Sequence, residues 1–438
     1  MAHLFYILNF ARTSAPAAFT RTGVIIARTA RYTKNSQEQC HIDDLLHSRF
    51  CKITTLPPLF VYRLTKEIKI NMDHLAASPK VLVAPLDWGL GHATRCIPII
   101  RELINQGCEV ILAGEGKAKA LLQLEFPALS FLDLPGYRIE YASSGWGLAF
   151  KIVAQIPKLL SAIKEEQAWL EKIVEEEKID AVISDNRFGL HNEKIYSVFI
   201  THQLLIKAPV KLAEDFLQGI NYQYINKFDE CWVPDSKEET NLAGLLSHPT
   251  ELPSVPTHYV GPISRFNTDQ EGTIGDELLI LLSGPEPQRS LLEKQLLEEL
   301  KEYTKPVVLV RGLPGEQETL QVNKNVSVFS HLPAAALEGK IKSASLVISR
   351  CGYSTVMDLA TLRKKSILIP TPGQTEQEYL ANHLMQKNFA FCVEQKKFRL
   401  KNALALAQHF SFQFCLEERK DRLQKTITRF VSSIQKSI

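Results

Sequence analysis

Short apolar runs alternate with longer amphipathic segments from Lys80 to the end of the chain. The run Lys80–Pro85 is almost wholly apolar, as in a strand that is buried on both faces of a parallel sheet. A glycine-containing turn follows it, and a segment of helical period then extends from Thr94 to Gln106, where Gly107 ends it. Further strands are predicted at Cys108–Gly114, Leu129–Leu134, Asp180–Ser184, Tyr196–Thr201 and Glu230–Val233. Strands that alternate with helices are typical of a doubly wound parallel sheet.

A second unit of the same kind begins near Asp276, where the strand Glu277–Leu282 turns at Ser283-Gly284 into a helix predicted from Pro287 to Tyr303. Its other strands are predicted at Pro306–Val310, Val326–Phe329, Leu346–Ser349, Ser366–Ile369 and Phe389–Val393. We therefore predict an α/β chain with two Rossmann-like, doubly wound parallel-sheet domains that face each other across a cleft, where ligands bind in such folds. The predicted division is an N-terminal extension (1–78), a first domain (79–250), a linker (251–275) and a second domain (276–438), with a last helix able to pack back on the first domain.

Composition narrows the class of protein. Hydrophobic residues make up 45% and charged residues 23%, as in a folded domain. Residues 1–71 hold ten Lys or Arg and four Asp or Glu, which resembles a presequence, or else upstream sequence translated ahead of a true start at Met72. Residues 72–438 hold 41 basic and 44 acidic residues, so they lack the positive field of a nucleic-acid binder.

The cysteines, and one segment that mixes apolar and basic residues, indicate where in the cell the protein is expected. The eight cysteines form no C-x-x-C pair, which favours a reduced, cytoplasmic protein. No run approaches the roughly 18 to 20 apolar residues of a membrane-spanning helix. Gly145–Lys164 mixes Trp146 and Phe150 with lysines, and it is a candidate for peripheral contact with anionic lipid at the inner face of the membrane. A core helix with solvated lysines is the alternative.

Three turns between strands and helices carry the candidate chemistry. Gly89-Leu90-Gly91-His92 offers close backbone approach and a titratable side chain that could accept a proton. Ser283-Gly284, with Arg289 beyond it, is the equivalent turn of the second unit. In Arg350–Asp358, amides at a helix start can hold a diphosphate and the carboxylate can bind ribose hydroxyls. Each feature also has a structural alternative: glycine suits any tight turn, and a helix acid is commonly solvated.

These motifs resemble glycosyltransferase family 28, the MurG-like glycosyltransferases. The family pattern R-x-G-x-x-T-V-x-E corresponds to Arg350–Asp358, and its later segment corresponds to Pro370 through Gln377 and Tyr379, where the Gln contacts the donor sugar. The family's N-terminal G-G-x-G-G-H loop, whose His is a proposed base, corresponds to Trp88–His92. The sequence departs from the family by having Asp358 in place of Glu, two prolines in the Ser283–Arg289 loop, and fewer glycines before His92.

The resemblance implies the GT-B fold and transfer of a hexose or N-acetylhexosamine from a nucleotide-diphosphate sugar, with UDP expected. The acceptor would be a hydroxyl compound, with lipid-linked precursors of cell-envelope glycan as the family's example. No Asp-x-Asp occurs in the chain, so we expect an inverting reaction without a metal or other cofactor. The alternatives are a nucleotide-sugar 2-epimerase or hydrolase on the same fold, or a non-catalytic sugar-nucleotide-binding subunit.

The predicted site has three parts. His92 is the catalytic base. The predicted donor-binding residues are Ser283, Gly284, Arg289, Arg350, Gly352, Ser354, Thr355, Asp358, Glu376 and Gln377. The candidates for contact with the acceptor or the phosphates are Gly89, Gly91, Asp185, Arg187, His202 and Arg265.

Overall fold

A computed structural model of the chain describes residues 78–137, 145–208, 210–266, 275–315, 320–414 and 421–437, without the side chains of 145–156. Nearly all of the predicted extension 1–78 and most side chains of the candidate lipid-contact segment therefore lie outside the described residues. Within the described residues, no helix has the length and apolar composition needed to cross a bilayer.

The first sheet has seven parallel strands: β1 (Lys80–Pro85), β2 (Glu109–Gly114), β3 (Ser130–Asp133), β4 (Ala181–Asp185), β5 (Tyr196–Ile200), β6 (Glu230–Val233) and β7 (Thr257–Tyr259). Their order across the sheet is β3-β2-β1-β4-β5-β6-β7. The order reverses between β1 and β4, whose register pairs Val81 with Ala181 and Pro85 with Asp185. A crevice at the carboxyl ends of the strands, where ligands bind in such sheets, therefore lies beside Asp185.

Four helices belong to this domain: α1 (Leu90–Asn105), α2 (Gly116–Glu125), α3 (Gly145–Glu177) and α4 (Lys211–Ile225). Helix α1 begins after Gly89, whose φ of 95° lies in the left-handed region that favours glycine. Its apolar positions Cys96, Ile97, Ile100 and Leu103 are buried against the sheet. The helical spacing of these residues thus turns the opposite face outward and brings the start of the helix to the cleft.

The second sheet has six parallel strands: β8 (Leu278–Leu281), β9 (Val307–Val310), β10 (Val326–Phe329), β11 (Leu346–Arg350), β12 (Ser366–Ile369) and β13 (Phe391–Cys392), in the order β10-β9-β8-β11-β12-β13. Its helices are α5 (Gln288–Leu300), α6 (Ala334–Ser343), α7 (Tyr353–Thr361), α8 (Thr375–Gln386), α9 (Leu400–Gln408) and α10 (Arg422–Ser437). The order reverses between β8 and β11, so the turns after these two strands open into the same crevice. Two such sheets confirm the predicted α/β fold class.

Two segments do not follow the predicted boundaries between the two domains. The segment predicted as a linker, 251–275, contains β7, which pairs with β6 and completes the first sheet. Helix α10 ends the chain but packs on the first domain, where Phe430 meets the indole of Trp232 with ring centroids 5.5 Å apart. Arg429 on the same helix donates to Glu230 at 3.0 Å. The C-terminal helix therefore ties the second domain back to the first.

We predict that Phe430→Ala destabilises the protein by about 3 to 5 kcal/mol, because it removes a fully buried ring and leaves a cavity beside Trp232. The free energy of unfolding in urea measures the effect. Lys425→Ala, on the exposed face of the same helix, is the control and should change stability by less than about 0.5 kcal/mol. Equal behaviour of the two variants would show that the helix is not anchored by this contact.

Candidate active site

The two sheets face each other across one large cleft. It encloses about 2480 Å³ and is lined by the turns after β1, β8, β11 and β12 together with residues at the end of β5. Ligand pockets for a single small molecule span about 300 to 1,000 Å³. The cleft therefore has room for two substrates at once.

His92 faces this cleft from the first turn of α1. Its Nδ1 lies 2.8 Å from Oδ1 of Asp185, and the His92 side chain keeps 16% of its surface exposed. Burial lowers the pKa of His92 below its ordinary value of 6.5, and the charge of Arg95 lowers it further against the opposing effect of Asp185. His92 is therefore an imidazole that stays neutral near neutral pH, as a base must be.

Asp185 was predicted as a candidate contact for the acceptor or the phosphates. It is wholly buried at the end of β4, behind the residues that line the cleft. Arg95 donates to it through Nε at 2.5 Å and through Nη2. Burial alone would raise the pKa of Asp185, but the charges of Arg95 and then His92 hold it well below its usual range. Asp185 is therefore a fixed negative charge behind His92.

Glu376 reaches across the cleft from the first turn of α8. Its Oε1 lies 2.7 Å from Nε2 of His202, and its Oε2 accepts from Nε2 of Gln203 at 2.5 Å. Burial would raise the pKa of Glu376, but its interaction with His202 lowers it below the ordinary value. The predicted acceptor-side residue His202 and the predicted donor-side residue Glu376 thus meet directly.

The start of α7 opens into the cleft. Gly352 precedes the helix, and a β-carbon at that position would meet no atom within 4 Å. Ser354 and Thr355 line the same wall, and Ser354 Oγ donates to the carbonyl of Gly91 at 2.8 Å. The helix start that was predicted to bind a diphosphate therefore lies against the turn that carries His92.

Asp358 and Arg265 occupy the next turn of this wall. Ser264 Oγ donates to Asp358 Oδ1 at 2.6 Å, and Arg265 Nε lies 3.9 Å from Oδ2. Burial raises the pKa of Asp358 from 3.8 to about 6, although Arg265 and Ser264 oppose the rise. The Arg265 side chain is 10% exposed and lines the cleft, and its Nε has no hydrogen-bond partner among the described residues. A guanidinium that keeps one such buried N–H is suited to an anion.

The turn after β8 is open at Ser283 and Gly284. Gly284 has a φ of 104°, and a β-carbon there would meet only Thr371 Oγ1, at 3.9 Å. That hydroxyl is buried, and no group in the part of the chain that the structure describes forms a hydrogen bond with it. The loop therefore leaves space and an unsatisfied polar atom near the cleft even though its prolines remove two amide donors.

Three arginines predicted at the site do not line the cleft. Arg289 is held by Glu286 at 2.5 Å, in the loop before α5, and by Glu293 at 3.1 Å on α5 itself. Arg350 is 1% exposed and donates to the carbonyl of Gln288 at 2.6 Å. Arg187 is fully buried and pairs with Glu166. Carboxylate and carbonyl groups thus hold all three guanidinium groups away from the lining of the cleft.

Gln377 lines the cleft, but its amide is engaged by its own loop. Its Oε1 accepts from the amide of Thr371 at 2.9 Å, and its Nε2 donates to Gln374. Glu378 accepts from the amide of Gly373 at 2.9 Å. Gln377 and Glu378 therefore hold the loop before α8 in its conformation. Gly89 also lines the cleft.

Arg95 was missed by the sequence analysis, although a signal was present. It lies three residues after His92, a spacing that puts both side chains on one helix face. Ser264 was missed too, although it adjoins Arg265, which was predicted. No spacing rule connects Ser264 with Asp358, because that contact joins separate elements.

Comparisons with known proteins agree with this architecture. The family model described as the glycosyltransferase family 28 C-terminal domain matches residues 288–436. An uncharacterized glycosyltransferase of Methanosarcina acetivorans is 24% identical over 332 residues, or 68% of this chain and 81% of that protein. The crystal structure of the glycotransferase of kitacinnamycin has a TM-score of 0.53 and 15% identity, covering 83% of this chain and all of that one. That likeness shows the fold.

Another relative matches this chain over a shorter stretch. The UDP-N-acetylglucosamine–N-acetylmuramyl-(pentapeptide) pyrophosphoryl-undecaprenol N-acetylglucosamine transferase of Methylorubrum extorquens is 41% identical over 64 residues, or 14% of this chain and 17% of that protein. Two facing parallel sheets with these relatives define a glycosyltransferase of the GT-B fold. The match of residues 288–436 to the glycosyltransferase family 28 C-terminal domain supports the resemblance predicted from the sequence.

We predict that Asp358→Asn stabilises the protein above about pH 6. The folded-state pKa of about 6 exceeds the ordinary 3.8, so the buried carboxylate lowers stability as pH rises through this range. Removing the charge should add about 2 to 3 kcal/mol near pH 7.5 and little near pH 4, as measured by urea unfolding. The exposed Asp215→Asn is the control. A loss of stability at pH 7.5 would contradict the prediction.

Proposed function

We propose that the protein transfers a hexose or N-acetylhexosamine from a UDP-linked sugar to a hydroxyl acceptor, with inversion and without a metal. The observation that carries the proposal is the contact between Ser354 and Gly91. It places the amino end of α7, where a diphosphate can bind, next to the turn that presents His92. A base beside a diphosphate site is the arrangement that transfer from a nucleotide sugar requires.

The donor would lie along the second domain. Asp358 would accept hydrogen bonds from ribose hydroxyls, and the Gly352–Thr355 helix start with Ser283-Gly284 would hold the diphosphate. Arg265, whose Nε has no partner, would face the phosphate charge. These groups would stabilise the charge that develops on the leaving diphosphate, which supports a reaction without a metal. Glu376 and Gln377 would lie beside the sugar.

The acceptor would lie against the first domain. In the proposed step, His92 Nε2 takes the proton of the acceptor hydroxyl, and the acceptor oxygen forms a bond with the anomeric carbon. The bond from that carbon to the diphosphate oxygen breaks on the opposite face, so the configuration inverts. Asp185 would hold the proton on Nδ1 and leave Nε2 free to accept. Arg95 Nη2 also lies 2.8 Å from Nδ1. It would donate to Nδ1 in the other tautomer, in which Nε2 carries the proton and cannot act as the base.

The hydrogen bonds made by Glu376 and Glu378 favour transfer over 2-epimerisation. An epimerase would need carboxylates poised at the sugar, and Glu376 and Glu378 were the candidates. Glu376 is held by His202 and Gln203, and Glu378 accepts from the amide of Gly373. His92 lines the cleft from the acceptor side and does not contact either carboxylate.

We expect UDP and UDP-sugars, but not GDP, ADP or orthophosphate, to raise the melting temperature. A ligand at about one hundred times its Kd stabilises the folded state by about 2.7 kcal/mol. Product analysis by NMR should show the opposite anomer to the donor, and EDTA should not change the rate. Stabilisation by a purine nucleotide alone would refute the UDP assignment, and inhibition by EDTA would refute the metal-free step.

We expect His92→Ala to lower kcat by about 10²- to 10⁴-fold while UDP binding stays within about twofold, because the base touches the acceptor and not the nucleotide. In the parent, kcat should stay level as pH falls from 8 to 6.5 and decline only below, since the pKa of His92 lies below its ordinary 6.5. The exposed His409→Ala is the control. An unchanged kcat in the His92 variant would exclude it as the base.

A further inference from the structure

A chain of polar contacts crosses the cleft from one sheet to the other. Asp185 accepts from Arg95 Nε at 2.5 Å, Arg95 Nη1 lies 3.3 Å from His202 Nδ1, and His202 Nε2 lies 2.7 Å from Glu376 Oε1. The side chains of Asp185, Arg95 and His202 are at most 7% exposed, and that of Glu376 is 31% exposed. Of these four residues, His202 is the one that contacts a charged group of each domain, Arg95 of the first and Glu376 of the second.

We propose that His202 is a positioning residue for the transfer, a bridge that holds the base-bearing helix α1 in register with the sugar-facing helix α8. It does so as a neutral imidazole protonated on Nε2. The proposal rests on the proposed function, because it assigns His92 and Glu376 to the two substrates.

The chemistry of the two neighbours sets the proton's position. A guanidinium only donates hydrogen bonds, so His202 Nδ1 must accept from Arg95. An ionised carboxylate only accepts, so Nε2 must donate to Glu376. Both contacts are satisfied by one neutral tautomer. A doubly protonated ring would turn an N–H toward the guanidinium of Arg95 and lose that contact.

The ring of His202 also fixes the start of α7. It stacks on Tyr353 with centroids 4.2 Å apart and planes inclined by 7°. Tyr353 OH in turn donates to the carbonyl of Pro234 at 2.9 Å. The groups that face His202 are therefore Arg95 and His92 from α1, Glu376 from α8 and the phenol ring from α7. The proposed base, diphosphate site and sugar site therefore all adjoin one imidazole.

A purely structural role at the domain interface would behave differently. Another contact across the domains, the donation of the Leu245 amide to Tyr379 OH at 2.8 Å, lies outside the chain of contacts at the base. Tyr379→Phe removes that hydrogen bond and keeps the ring. It is the matched control for loss of one interdomain hydrogen bond.

Two replacements divide the bridge into halves. In His202→Asn the amide can take the place of Nδ1 and accept from Arg95, but it cannot reach Glu376. In His202→Gln the amide can take the place of Nε2 and donate to Glu376, but it leaves Arg95 without its acceptor. A residue that acts as a bridge needs both ends, whereas a residue that only secures the interface is replaced by Gln.

We expect both variants to lower kcat at saturating substrates by about 10- to 100-fold, because misplacement of reacting groups by about 1 Å costs that much. The KM for UDP-N-acetylglucosamine, the probe donor, should stay within about threefold, and Tyr379→Phe should keep kcat within about twofold. A parental kcat in His202→Gln, or losses in both variants no larger than in Tyr379→Phe, would overturn the proposal.

A second measurement needs neither turnover nor a variant that folds. The ¹⁵N shifts of the His202 ring in the full-length parent distinguish the two neutral tautomers and the charged form. Near neutral pH we expect the neutral form with the proton on Nε2. The Nδ1-protonated or doubly protonated form would overturn the bridge even if the protein transfers sugar. Absence of binding and turnover with every nucleotide sugar would instead refute the proposed function and leave the tautomer to decide the bridge.

Discussion

The buried pair of Asp185 and Arg95 is the interaction on which the active site depends. The carboxylate is wholly buried where the first sheet changes direction, and a charge there is tolerated only because a guanidinium neutralises it at 2.5 Å. Once fixed, the pair determines its neighbours. It orients His92 toward the cleft and presents a hydrogen-bond donor to His202. Breaking such a buried pair leaves an uncompensated charge, which costs about 3 to 5 kcal/mol.

The second domain contributes open backbone and unsatisfied polar groups. Gly284 and Gly352 leave space for a ligand, and Arg265 and Thr371 each carry a buried polar atom without a partner. The first domain instead contributes paired charges. This difference fits a glycosyltransferase. The anionic sugar nucleotide needs hydrogen-bond donors that are not already paired, whereas a catalytic base needs a fixed, fully paired environment.

Much of the fold was predicted from periodicity alone. The strands at Lys80–Pro85 and Val326–Phe329 were predicted with their observed bounds, and the helix predicted from Thr94 begins at Leu90. Strand β7 was missed because its three residues lie in a stretch rich in Pro and Ser, and only pairing with β6 makes them a strand. His92, Asp358 and Glu376 line the cleft. The sequence could place them there because they lie at turns and helix starts after parallel strands, which this topology brings to the cleft.

The sequence by itself determined which backbone segments reach the cleft, since strand order and helix period place them there whatever the side chains do. Only the tertiary structure decided which side chains enter it. Arg187, Arg289 and Arg350 follow or adjoin strand ends as His92 does, yet each turns inward to a buried carboxylate or carbonyl. Asp185 likewise points to Arg95 and not to solvent. A charged side chain goes where a partner offsets its desolvation, and that partner lies far away in the sequence for three of these four residues.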